Sequence, residues 1–88
     1  PLRLRFADGQ LQVSAQTEDV VEATDTLAID LSGEELEIGF NPDFLRDGLD
    51  AVNGETVQLK LINRLRPGLI ASPEESFWYL IMPIRLAG

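Results

Sequence analysis

Leu2, Leu4 and Phe6 alternate with Arg3 and Arg5, the chain reaches Asp8-Gly9, and alternation resumes with Leu11, Val13 and Ala15 against Gln10, Gln12 and Ser14. This is the strongest constraint in the sequence. A period of two sends successive side chains to opposite faces of a strand. Asp-Gly between two such runs suits a two-residue hairpin, whose central residues need positive φ. A further extended segment runs from Val20 to Leu31, with Val21, Ala23, Leu27, Ile29 and Leu31 as inward positions. Ser32-Gly33 makes a turn, and Leu36, Ile38 and Phe40 alternate again. Residues 1–40 thus predict an antiparallel meander.

The period then changes. Asn41-Pro42-Asp43 is a helix start: Asn caps, Pro suits the first helical position, and an acid favours the positive end of the dipole. Leu45, Leu49 and Val52 fall at helical spacing, with Phe44, Gly48 and Ala51 beside them, and Asn53-Gly54 is the stop.

Three more strands are expected. Val57, Leu59 and Leu61 begin the first, Leu69-Ile70-Ala71 follow a turn at Arg66-Pro67-Gly68, and the last runs from Phe77 through Pro83 to Leu86. The order strands, helix, strands predicts an α+β fold with an antiparallel sheet packed on one helix. Phe77 to Met82 is an unbroken apolar run, which predicts a strand covered on both faces. One short helix covers only part of one face, so Leu80, Met82 and Ile84, or their neighbours, are left for something outside the chain. The simpler reading is a central core strand. Pro83 cannot donate to a ladder and predicts an edge, or departure from the sheet.

Composition narrows the function classes. With 88 residues there is room for one domain, and no stretch is long enough to span a bilayer or reads as a signal peptide. The chain has no Cys and no His, which removes disulfides, thiolate metal sites and the commonest general base, and fits a reducing cytoplasm. Net charge is −8, and the bases are scattered, with only Arg64 and Arg66 forming a small cluster. That is not a phosphate-binding surface. Glu35 and Glu37 share a strand face opposite Leu36 and Ile38, which reads as solvated alternation rather than a catalytic pair. Asp43, Asp47 and Asp50 share a helical face, yet metal sites draw on more than one element. No catalytic residue, metal site or cofactor is assigned.

Two segments carry a resemblance. Glu37-Ile38-Gly39-Phe40-Asn41-Pro42-Asp43-Phe44-Leu45-Arg46-Asp47-Gly48-Leu49 resembles the strand-to-helix junction of the third domain of bacterial DNA sliding clamps, the beta subunit of DNA polymerase III. Tyr79-Leu80-Ile81-Met82-Pro83-Ile84-Arg85-Leu86 resembles the Met-Pro-x-Arg tail that closes the same family. Arg66-Pro67 before a short apolar strand is also similar.

The resemblance implies that residues 1–88 are a single partial domain, because in the family a further strand and helix precede this point. Such a piece is expected to expose an apolar sheet edge and to associate or be marginally stable. It also implies a cytoplasmic processivity factor: a homodimer ring, part of a clamp fold, that encircles duplex DNA and tethers DNA polymerase III and other clamp-binding proteins after a clamp loader has acted. Partner peptides of the type Gln-Leu-x-Leu-Phe would enter an apolar groove formed by Leu80, Ile81, Met82, Pro83, Ile84 and Arg85, flanked by Asn41, Phe44, Arg66 and Pro67. Glu18, Asp19, Glu22 and Asp25 would lie at the subunit interface; alternatively they guard a solvated edge strand. Arg46 would face DNA, or else pair with neighbouring acids. The competing readings are a stand-alone peptide adaptor that binds through its last strand at full affinity, and a phage or plasmid clamp variant complete at this length.

Overall fold

The computed structural model of the chain describes residues 1–17, 20–52, 56–73 and 78–86. Asp8 and Gly9 both adopt positive φ, 54° and 70°, so the predicted hairpin closes as its sequence requires. It joins β1 (Leu2–Ala7) to β2 (Gln10–Thr17), with Leu4 opposite Val13 and Phe6 opposite Leu11. β3 (Val20–Ala28) pairs with β2, and β4 (Leu36–Phe40) pairs with β1, giving a four-stranded antiparallel sheet in the order β3-β2-β1-β4.

The helix α1 (Pro42–Ala51) starts where the capping signal placed it. Asn41 Oδ1 accepts from the backbone N–H groups of Asp43 at 2.8 Å and Phe44 at 3.3 Å, satisfying two of the donors a helix start leaves orphaned. Gly48 is buried mid-helix because the helix must come close to its neighbour. A Cβ there would lie 2.6 Å from Ile70 Cδ1 and 2.7 Å from Tyr79 Cδ1. The predicted stop at Asn53-Gly54 lies outside the described residues.

β5 (Gln58–Lys60), β6 (Gly68–Ala71) and β7 (Trp78–Ile81) form a second, three-stranded antiparallel sheet in that order. The strands therefore divide between two sheets rather than one. Leu4, Phe6, Ile38 and Phe40 from the first meet Ile70 and Ile81 from the second, with Val52 after the helix, in one core. Ile38, Phe40 and Ile70 are fully buried, each contributing about 1.5–3 kcal/mol of transfer free energy.

Three expectations are corrected. The meander expected over residues 1–40 ends at β3, because β4 returns to the other edge of β1 instead of pairing with β3. Along β3, Val21 and Leu27 are more than half exposed and Ala23 is exposed, while only Ile29 and Leu31, beyond its end, pack against the core. β3 is the outer strand of its sheet, and the buried core is built on β1 and β4, where residues of the second sheet meet them. The last strand also ends earlier than expected, at Ile81, because Pro83 has no N–H for a ladder. The chain then crosses between the sheets, and Ile84 makes an antiparallel bridge to Gly39. β7 is consequently an edge strand and not a central one.

Candidate functional site

The run that lacked alternation in sequence alternates in space. Tyr79 is half-buried and Ile81 is buried on the core side of β7, whereas Trp78, Leu80 and Met82 are 58%, 54% and 61% exposed. Register extends this outer strip across the sheet, because Leu69 lies opposite Leu80 and Ala71 opposite Trp78. Directly opposed residues on antiparallel strands share a face.

The other predicted groove residues converge on the end of β7. Gly68 pairs with Ile81, so Arg66-Pro67 abut the point where Met82-Pro83 leave the sheet. The antiparallel bridge between Gly39 and Ile84 runs the chain after β4 back toward Met82, which brings Asn41 and Phe44 to the same end. Phe44 is 55% exposed, unusual for an aromatic ring at a helix start with a core beside it. Asn41 is committed to the helix cap. Ile81 differs from the rest: its side chain belongs to the core.

Four side chains, Trp78, Arg64, Leu65 and Leu86, extend the site beyond its sequence-predicted members. Trp78 shares the outer face with Leu80, a signal present in the i, i+2 spacing. Arg64 and Leu65 arrive through a turn built on Asn63, whose Oδ1 accepts from Leu65 N–H at 2.9 Å and whose carbonyl accepts from Arg66 N–H at 3.3 Å. Arg64, Leu65, Arg85 and Leu86 line a shallow cleft of about 220 Å³.

Two basic side chains have carboxylate partners, and Arg5 and Lys60 have none among the described residues. Arg3 pairs with Glu37, and Arg46 with Asp43 at 3.2 Å on the exposed face of α1. Among the described residues Arg64, Arg66 and Arg85 make no ion pair. Glu18 and Asp19 lie outside the described residues; Glu22 and Asp25 sit on β3, with Asp25 opposite Val13. No group of three acids gathers to hold a metal, and no helix is long and apolar enough to cross a membrane, among the described residues.

The sequence family described as DNA polymerase III beta subunit, C-terminal domain, matches residues 1–85. The chain belongs to this family. The beta sliding clamp of Streptomyces coelicolor is 37% identical over 95 residues, covering all of this chain and 25% of that protein. That of Chlamydia muridarum is 36% identical over 85 residues, covering 97% of this chain and 23% of the relative. The chain thus spans about a quarter of the length of the curated relatives it matches. Among solved structures, a DnaN sliding clamp from Bartonella birtlesii bound to griselimycin superposes with a TM-score of 0.88 at 30% identity, over 97% of this chain and 23% of that one. The DNA polymerase III beta subunit of Thermotoga maritima gives 0.89 at 28% identity, over 98% of this chain and 24% of the other. The family's domain fold therefore holds here, two sheets and one helix included.

Proposed function

We propose that this chain is the partner-docking part of a non-enzymatic processivity clamp, acting in the cytoplasm within a homodimeric ring around duplex DNA. The observation that carries this reading is the outer face of β7. Trp78, Leu80 and Met82 remain exposed there although the neighbouring Tyr79 and Ile81 pack inward. An apolar strip with polar surroundings marks an interaction site, and an exposed Met lends it adaptability.

In this reading a Gln-Leu-x-Leu-Phe-type peptide from DNA polymerase III, the clamp loader or another clamp-binding protein lays its leucine and aromatic anchors against Leu80, Met82, Pro83 and Ile84. Phe44, Pro67 and the aliphatic stem of Arg66 flank those anchors, Asn41 fixes the helix start, Ile81 offers backbone only, and Arg85 contributes charge. β3 has one strand neighbour, and its exposed Val20 and Val21 beside Glu22 and Asp25 suit a subunit interface, to which Glu18 and Asp19 are assigned as well. Arg46 is assigned a transient DNA contact; its pairing with Asp43 makes that contact weak. Encirclement, rather than phosphate affinity, reconciles duplex DNA with a net charge of −8.

The test is an amide NMR titration with such a peptide and a control carrying Leu/Phe-to-Ala changes. Expected are shifts at Phe44, Arg66 and Leu80–Arg85, with the control silent. A well-folded chain that ignores the peptide at millimolar concentration removes the docking assignment, whereas full-affinity binding by this chain alone favours the stand-alone adaptor.

A further inference from the structure

We infer that Leu86 and Gly39 are positioning residues for the docking surface: the leucine, seated over the glycine, fixes where the tail after β7 lies relative to the start of α1. The inference rests on the docking reading above and adds what holds that surface in shape.

The tail leaves its own sheet early. The ladder between β6 and β7 ends at the pair Gly68 and Ile81. Beyond it, one backbone hydrogen bond among the described residues holds the tail, from Ile84 N–H to the Gly39 carbonyl at 2.9 Å. An isolated bond of this kind is a weak tether, since water competes for both its groups. Gly39 supplies a second hold. Its φ is not positive, as those of Gly9 and Gly33 are, so its backbone conformation does not call for glycine. What the position needs is empty space above the strand. Leu86 fills that space: a Cβ at residue 39 would stand 2.6 Å from its Cδ2 and 3.1 Å from its Cγ. Leu86 is accordingly half-buried.

The place of Gly39 in β4 gives this contact a longer reach. Phe40 follows it and is fully buried, and Asn41 is fixed by its bonds to the first N–H groups of α1. Strand, cap and first helical turn thus run from Gly39 to Phe44 without a loose joint. Met82, Pro83 and Arg85 form one wall of the docking surface and Phe44 the other. A tail seated on Gly39 therefore keeps a set distance from Phe44, whereas a tail without the Leu86 contact pivots about the single bond at Ile84. Preformed walls spare a bound peptide the cost of ordering them.

The experiment uses the full chain, the acetylated and amidated peptide Gln-Leu-Ser-Leu-Phe, and the variants L86A, L86M, G39A and G39A/L86A. Amide exchange in the free chain reports the tail, and an NMR titration with the peptide reports docking. Expected in L86A is about tenfold faster exchange at Ile84, unchanged exchange along β1, and about three- to tenfold weaker binding. L86M restores volume over Gly39 and recovers both. G39A dislodges the leucine and reproduces both losses, and the double variant adds little to either, because the two changes break one contact. Should G39A fail to fold, L86A and L86M decide alone. Weaker binding in L86A with unchanged exchange at Ile84 means that the peptide touches Leu86 directly, and additive losses in the double variant mean the same. Either result overturns the inference and leaves the docking surface standing. Faster exchange without weaker binding confines the contact to stability and also overturns it. A folded wild-type chain that ignores the peptide at millimolar concentration removes the docking reading and the inference together.

Discussion

Gly39 accepts the backbone N–H of Ile84 at 2.9 Å, so one hydrogen bond ties the C-terminal tail to the outer edge of the first sheet. Leu86 then lies over Gly39: a Cβ added there would stand 2.6 Å from Leu86 Cδ2 and 3.1 Å from the Ile84 carbonyl oxygen. The leucine tip can yield, but the carbonyl belongs to the strand pairing. Gly39→Ala is expected to cost about 1–3 kcal/mol through overpacking. Urea denaturation measures the loss, and amide exchange at Ile84 locates it. A loss spread evenly over the chain, without faster exchange in the tail, contradicts this account.

Gly48 poses the same question with opposing terms. Replacing a mid-helix glycine by alanine gains about 0.5–1 kcal/mol in propensity. Here the added methyl meets Ile70, which is fully buried and has nowhere to go, and the Tyr79 ring. Overpacking of about 1–3 kcal/mol wins, so Gly48→Ala lowers the midpoint of thermal unfolding. A raised midpoint means that β7 shifts freely against α1.

Local signals in the sequence specify their own structure, and the layering of the fold is not written in them. Asp8-Gly9 and Asn41-Pro42 specify their turn and cap through their own backbone chemistry, and both form as expected. Burial along β3 depends instead on whether another layer reaches it, so Val21 and Leu27 face solvent despite a sound strand pattern. The six-residue apolar run ending at Met82 was ambiguous for a related reason. Periodicity cannot show that one face of β7 serves the core while the other stays open. The cleft at Arg64 and Arg85 joins residues far apart in sequence, and nothing but the fold reveals it.

The Asn41 cap supports a helix of ten residues, too short to persist alone. Asn41→Ala removes the acceptor for two N–H groups and is expected to cost about 1 kcal/mol, while Asn41→Ser or Asn41→Asp retains most of the stability. Chemical denaturation of the three variants checks the order. Equal losses in all three assign Asn41 a role outside capping.

Arg3 reaches Glu37 diagonally, because its directly opposed neighbour is Gly39, which presents no side chain. Both side chains are roughly one-third exposed, so screening limits the pair. A double-mutant cycle with Arg3→Gln and Glu37→Gln is expected to give a coupling of about 0.5–1 kcal/mol that falls with added salt. Coupling near zero at low salt means the pair is incidental to stability.

Leu80 and Ile81 are adjacent residues with opposite duties, and that contrast separates stability from docking. Ile81 is 2% exposed in the core, so Ile81→Ala is expected to cost about 2–5 kcal/mol and to weaken binding only by unfolding the chain. Leu80 is 54% exposed, so Leu80→Ala leaves the denaturation midpoint nearly unchanged, within about 0.5 kcal/mol. Its deletion instead removes apolar surface that a bound leucine or aromatic anchor covers, and the peptide affinity falls by about tenfold or more. Stability is read from urea melts and affinity from the peptide titration, on the same preparations. If Leu80→Ala unfolds the chain as readily as Ile81→Ala, the outer face of β7 is structural. If it changes neither quantity, the peptide docks elsewhere, and the exposure of Leu80 has no part in partner recognition.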